Sequence, residues 1–224
     1  MANPKTGAEL PSEEGSRSSI TQLERTARAA LRRARRAQEY RERIFHAAIA
    51  LFAERGLHQV TVEQITERAE VGKGTFFNYF ENKEAVIAEF LAEEVARLSS
   101  AIAAGEVQGP PPERILQSLL LLAGHPLFTK EFVRGLFITA LSTAHFSEAE
   151  GRGIWELRGI IAGIVEEGQE SGHFRKDVPA PEAGLFVFGQ YLVALLLWSS
   201  SFAGESLQEI VTRYVRLGLR ALGS

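Results

Sequence analysis

The chain has 224 residues, 45% of them hydrophobic and 24% charged, with no cysteine and a formal net charge of −3. Length and apolar content together allow a sizeable core and exclude a wholly disordered chain, while the lack of Cys excludes disulfides, thiol nucleophiles and thiolate-bound zinc. The opening stretch MANPKTGAELPSEEGSRSSI has no apolar run of signal-peptide length, so a cytoplasmic location is expected.

The small net charge hides an asymmetry. Residues 1–38 carry 8 basic and 4 acidic side chains, residues 39–98 carry 7 and 11, and residues 99–224 carry 10 and 13. Arg25, Arg28, Arg32, Arg33, Arg35 and Arg36 thus make a basic arm before an acidic body, suited to a polyanion or to a solvated helix face. Residues 1–19 are too polar to bury and are expected to be disordered. Thr21 with Glu24 forms a capping-box pattern, and no Gly or Pro follows until Gly56, so a helix over about 21–55 is expected, firm from Glu39 onward. The arm, residues 1–37, is taken as disordered or partly helical.

Tyr40, Ile44, Ala47, Ala48, Leu51 and Phe52 line one helical face that stops at Gly56, a place for a left-handed cap residue. Thr61 and Gln64 open a helix of roughly two turns with Val62, Ile65 and Ala69. After Gly72 a short helix resumes over Lys73 to Phe80, and Asn82 caps a long one that runs to about Ala103. GEVQGPPP at 105–112 is a linker whose prolines start a Leu-rich helix. Pro126 is expected to start the next helix, Ser147 with Glu150 to cap another that Gly172 ends, PAPEAG at 179–184 to open a very apolar one, and Ser206 with Glu209 to cap the last. No alternating strand pattern of useful length intervenes, so the fold class is all-α.

The segment LFVFGQYLVALLLWSSSF at 185–202 is long enough to raise a membrane span. Gln190 and Ser199–Ser201 interrupt it and no basic cluster flanks it, which favours burial in a core or a subunit interface over a span. The final helix carries an apolar stripe through Ile210, Tyr214 and Gly218. Two such helices per chain suit a four-helix homodimer interface, assigned to Leu195, Trp198, Ile210, Tyr214 and Gly218.

The stretch TVEQITERAEVGKGTFFNYFENK at 61–83 carries the function. Two short helices about a tight turn make a helix-turn-helix, motif 61–80, whose second helix enters the DNA major groove. Gly74 weakens that helix by about 1 kcal/mol, understandable if a base or phosphate must approach the backbone. Lys73, Thr75, Asn78 and Tyr79 offer donors there. Lys83 sits in the first turn of the long helix, where the dipole disfavours a cation and an external phosphate would reverse the sign. Phe76 and Phe80 are read as core.

Residues 38–98 resemble the DNA-binding domain of the TetR family of bacterial transcriptional regulators, through RERIFHAAIALFAERG, TVEQITERAEV, GKGTFFNYF and ENKEAV in that order. The resemblance implies an all-helical homodimer with an N-terminal three-helix DNA-binding domain and a C-terminal domain, 99–224, for ligand binding and dimerisation. It carries DNA contacts to Thr61, Lys73, Gly74, Thr75, Asn78, Tyr79 and Lys83. It also implies double-stranded operator DNA and a small-molecule effector as partners, with no membrane and no cofactor. Three departures stand out: Glu70 where a turn Gly is frequent, which would strain a left-handed backbone; Phe77 in place of a frequent Tyr; and a longer basic extension.

Aromatic supply suggests that Phe132, Phe137, Trp155, Phe186 and Tyr191, with Gln190, line a cavity for a largely apolar effector. Gly159 and Gly163 are expected to loosen their helix and permit close packing. Histidines 46, 58, 125, 145 and 173 are scattered without metal spacing, so neither a metal site nor an enzyme is expected. The expected function is that of a repressor, bound to a pseudo-palindromic operator as a homodimer and released by its effector.

Overall fold

The computed structural model describes residues 13–142, 148–200 and 204–223. Their regular structure is all-helical: α1 (Glu13–Arg55), a 3₁₀ turn (Leu57–Gln59), α2 (Val62–Arg68), α3 (Lys73–Phe77), α4 (Lys83–Ala103), α5 (Pro111–Ala123), α6 (Lys130–Ser142), α7 (Glu148–Glu170), α8 (Ala180–Ser200) and α9 (Leu207–Ala221). The chain divides into two compact units, one ending at Arg43 and one beginning at Ile44.

The first unit is the N-terminal stretch of α1. The helix already includes residues 13–19, so Thr21 and Glu24 are interior positions and do not form its capping box. Glu13 and Glu14 stand in its first turn, where the helix dipole favours negative charge. The side chains from Arg25 to Arg36 are exposed, Leu31 included, and one-turn pairs decorate the surface: Arg35 Nε donates to Glu39 at 2.9 Å and Gln38 to Glu42 at 2.9 Å.

The second unit has two hydrophobic clusters. The first gathers Ile44, Phe45, Ala48, Phe52, Leu57, Ile65, Phe76, Phe80 and Phe90 from α1 to α4. Its chain reversals follow the expected signals. Gly56 takes φ 78° just past α1. Thr61 and Gln64 make a reciprocal capping box, and the Asn82 side chain accepts from the Ala85 N–H at 2.7 Å. The second cluster joins α4, α5, α7, α8 and α9 through Leu98, Ile115, Leu119, Ile161, Val187 and Val211. Ser206 and Glu209 cap α9 as expected, and prolines open α5. Ser147, the expected cap of α7, lies outside the described residues.

Two expectations fail here. The helix expected from Pro126 begins at Lys130. The intervening residues turn instead, with Leu127 N–H donating to His125 Nδ1 at 3.2 Å and Phe132 N–H to Thr129 Oγ1 at 3.2 Å, so Thr129 supplies the cap. The close-packing glycines are also different ones. A Cβ on Gly184 of α8 would lie 3.0 Å from Ala162 Cα, and one on Gly153 of α7 would lie 3.0 Å from Ala92 N on α4, whereas Gly159 and Gly163 meet nothing within 4 Å. Those two face outward, so Gly159→Ala and Gly163→Ala should each raise stability by about 0.5–1 kcal/mol. Urea denaturation reads this directly, and a lowered midpoint would show that these positions need glycine.

By length and composition α8 could cross a membrane, but 44% of that window is buried in the fold, where it packs against α6, α7 and α9. It serves as a core helix with one face left open.

Candidate functional site

The α2 end is held to α1 by a fork in which Arg68 Nη1 donates to both Glu54 carboxylate oxygens at 2.8 Å. Beyond it, Val71 N–H donates to Thr66 O at 2.9 Å and Glu70 N–H to Glu67 O at 3.1 Å, the double closure of a Schellman cap. The residue that takes the left-handed conformation is Glu70, at φ 51°. A turn built for glycine is thus filled by a residue that is strained there.

The turn delivers α3 with one face outward. Phe76 is fully buried and Phe80 nearly so, their ring centroids 5.8 Å apart, while Lys73, Gly74 and Asn78 are exposed. Thr75 and Tyr79 are half-buried, Tyr79 packing on the cluster beneath. The α-helix proper ends at Phe77, with Asn78 as its C-cap, and turn hydrogen bonds carry the chain to Phe80. A Cβ at Gly74 would meet nothing within 4 Å, so the backbone there is open to an external group. Thr61, exposed at the N-cap of α2, accepts from Gln64 N–H at 3.3 Å.

Two contacts alter the picture drawn from sequence. Lys73 Nζ forms an ion pair with Glu63 of α2, both side chains largely exposed, and the ammonium holds the Glu63 carboxyl below its ordinary range. Lys83 is half-buried, its Nζ donating to Leu57 O at 2.9 Å and Val60 O at 3.0 Å. The unfavourable dipole at Lys83 is therefore offset inside the chain, without need of an external phosphate. Sequence reading missed Phe77, which is 50% exposed on α3. Its spacing of four from Lys73 placed it on that face, and an aromatic edge there can meet a thymine methyl.

Further along, α4, α6, α7 and α8 enclose a cavity of about 180 Å³. Phe137 and Tyr191 line it, together with Leu57, Ile87, Leu91 and Glu94. The other residues expected there do not. Phe132 is fully buried in the first cluster, its ring 5.5 Å from that of Phe90. Trp155 is 63% exposed under the Arg158 guanidinium, and Phe186 and Gln190 lie against Gly218 of α9. Helix periodicity does not say which of several aromatic faces closes on empty space.

Three of the expected dimer residues need the same correction. Leu195, Ile210 and Gly218 are buried within the chain, where a Cβ on Gly218 would lie 2.7 Å from Gln190 Cγ. Trp198 and Tyr214 are half-buried beneath Lys130 and Arg213. Among the described residues, the large apolar side chains left open on α8 and α9 are Leu185, Phe186, Leu192, Val193, Leu196, Leu197 and Leu217. Among the described residues no group of three or more His, Asp and Glu could hold a metal ion.

Comparison with known proteins places this geometry. The family described as bacterial regulatory proteins, tetR family, matches residues 44–90. DhaR, an HTH-type transcriptional repressor of Mycobacterium sp. (strain GP1), is 30% identical over 179 residues, 77% of this chain and 88% of that protein. The structure of Thermus thermophilus FadR, a TetR-family transcriptional repressor in complex with lauroyl-CoA, superposes with a TM-score of 0.61 at 29% identity, covering 80% of this chain and 93% of FadR. RolR in complex with resorcinol superposes with a TM-score of 0.60 at 25% identity, covering 85% and 90%.

Proposed function

The chain belongs to the TetR family of bacterial regulatory proteins and is a DNA-binding, ligand-responsive repressor of transcription, and from that premise we propose that it acts in the cytoplasm as a homodimer on a pseudo-palindromic operator. The observation that carries the reading is the outward face of α3, where Lys73, Gly74, Phe77 and Asn78 stand clear above a sealed aromatic core. Lys73 exchanges Glu63 for a DNA phosphate, Thr61 and Tyr79 add backbone contacts, and Thr75, Phe77 and Asn78 meet base edges. Lys83 acts from behind, by holding the 3₁₀ turn on α4. The arginines of residues 1–37 add non-specific affinity. With two copies, each α3 reads one half-site.

Release follows from the way the cavity meets the DNA-binding cluster. Leu57 and Ile87 belong to that cluster and also line the cavity, and Gly135 of α6 abuts Leu57. A small, largely apolar effector in the cavity therefore touches the side chains that set the position of the recognition helix. By linkage it must bind free protein more tightly than operator-bound protein, by the same factor with which it weakens operator binding.

Operator affinity as a function of salt tests the DNA face. Lys73→Ala should weaken binding to every sequence and reduce the salt slope by about one, whereas Asn78→Ala should relax discrimination at one base pair by about 1–3 kcal/mol. A chain lacking residues 1–37 should lose affinity mainly at low salt. Unchanged slopes for both would remove α3 and the arm from the interface.

A further inference from the structure

The Tyr191 hydroxyl is the one buried side-chain polar atom among the described residues that finds no hydrogen-bond partner, and Tyr191 is a cavity-lining residue. Burial, with the nearby Glu94 carboxylate adding to it, pushes this hydroxyl well above the ordinary tyrosine range, so it remains a neutral O–H donor and acceptor. Glu94, also buried, lines the same cavity. Arg97 holds its Oε2 at 2.6 Å and reaches Oε1 only at 3.3 Å, and His125 Nε2 stands 3.6 Å from Oε1. Oε1 thus retains capacity to accept a further hydrogen bond.

The rest of the wall is apolar. Among the described residues that line it, the polar ones are Glu84, Glu94 and Tyr191, and none is Lys, Arg or His. A carboxylate or phosphate entering this space would lose its hydration without meeting a cation among the described lining residues. The volume, about 180 Å³, is slightly larger than an apolar cavity of about 150 Å³ that takes benzene, and so fits one substituted ring.

We propose that the cavity selects a small uncharged ring compound bearing a hydroxyl group, which donates to Glu94 Oε1 and accepts from the Tyr191 hydroxyl, and that it rejects anions. This rests on the reading of the cavity as the effector site and gives that effector its chemistry. An acyl-CoA, the ligand in the FadR complex, brings phosphates for which the described residues of this wall offer no counter-charge.

Calorimetry on the full chain without DNA, at pH 7, compares 4-ethylphenol, ethylbenzene, 4-ethylbenzoate and lauroyl-CoA. The phenol should bind about tenfold more tightly than ethylbenzene, and the two anions more weakly than either. Tyr191→Phe should erase most of the preference for the phenol while leaving ethylbenzene binding unchanged. By removing an unsatisfied buried hydroxyl it should also raise the melting temperature of the empty protein by about 2–4 °C. Glu94→Gln should narrow the gap between 4-ethylphenol and 4-ethylbenzoate. Equal affinity for phenol and ethylbenzene, no phenol binding at millimolar concentration, or tighter binding of either anion would overturn the proposal. Operator release is measured separately: a phenol that binds as stated yet leaves the operator complex intact upholds the binding chemistry and sinks the effector reading.

Discussion

Phe76→Ala is expected to cost about 3–5 kcal/mol of folding stability and, with it, operator binding. Phe76 is fully buried, edge-on to Phe77 at 5.3 Å and tilted on Phe80 at 5.8 Å, at the centre of the cluster that carries α3. A short helix has little stability of its own, so α3 exists because this ring anchors it. Against a typical total of about 5–15 kcal/mol the loss is large enough to unfold a sizeable fraction of the protein at 37 °C. The neighbouring Phe77→Ala provides the contrast, since that ring is half exposed and its removal should change stability by under about 0.5 kcal/mol while weakening the operator complex. Denaturant melts and operator titrations on the two variants separate anchor from contact. Equal stability losses would place Phe77 in the core.

If the proposed homodimer forms through the open face of α8, Val193→Glu with Leu197→Glu should give a monomer by sedimentation at micromolar concentration and lower operator affinity by about a hundredfold or more, because each recognition helix then binds without its twin. Both residues lie on the open face of α8, with Phe186, Leu196 and, on α9, Leu217. The other side of α8 packs inside the chain at Val187, Ala194 and Leu195, so the substitutions leave the fold of a single copy intact. Two carboxylates placed in an apolar interface lose hydration without gaining partners. A variant that stays dimeric would move the interface elsewhere.

The capping boxes at Thr61 and Ser206, the Asn82 cap and the glycine stop at 56 were legible because each signal and its consequence lie within a few residues. The contacts of Lys83 within the chain were hidden for the opposite reason. Its partners are carbonyls 23 and 26 residues away, and no local pattern announces them. The Lys73–Glu63 pair spans the turn and was equally hidden. In the C-terminal helices almost every residue of α8 is apolar, so periodicity could not tell the buried Leu195 from the exposed Leu196. The α6 start was misplaced because Pro126 is a generic helix opener, whereas Thr129, four residues before Val133, was the cap in use.

Phe132 sits at the start of α6, more than thirty residues beyond the family match, yet its ring completes the aromatic cluster under the recognition helix. A DNA-reading head excised at residue 98 would leave a phenylalanine-sized hole beside Phe90. This head cannot therefore be grafted freely: it must bring its own α6 aromatic or find one of matching shape in the recipient. In this chain the reading cluster and the cavity meet at one joint, where Phe132 fills the cluster and Leu57 and Ile87 also face the cavity, and any recombination that separates the two must first repair that joint.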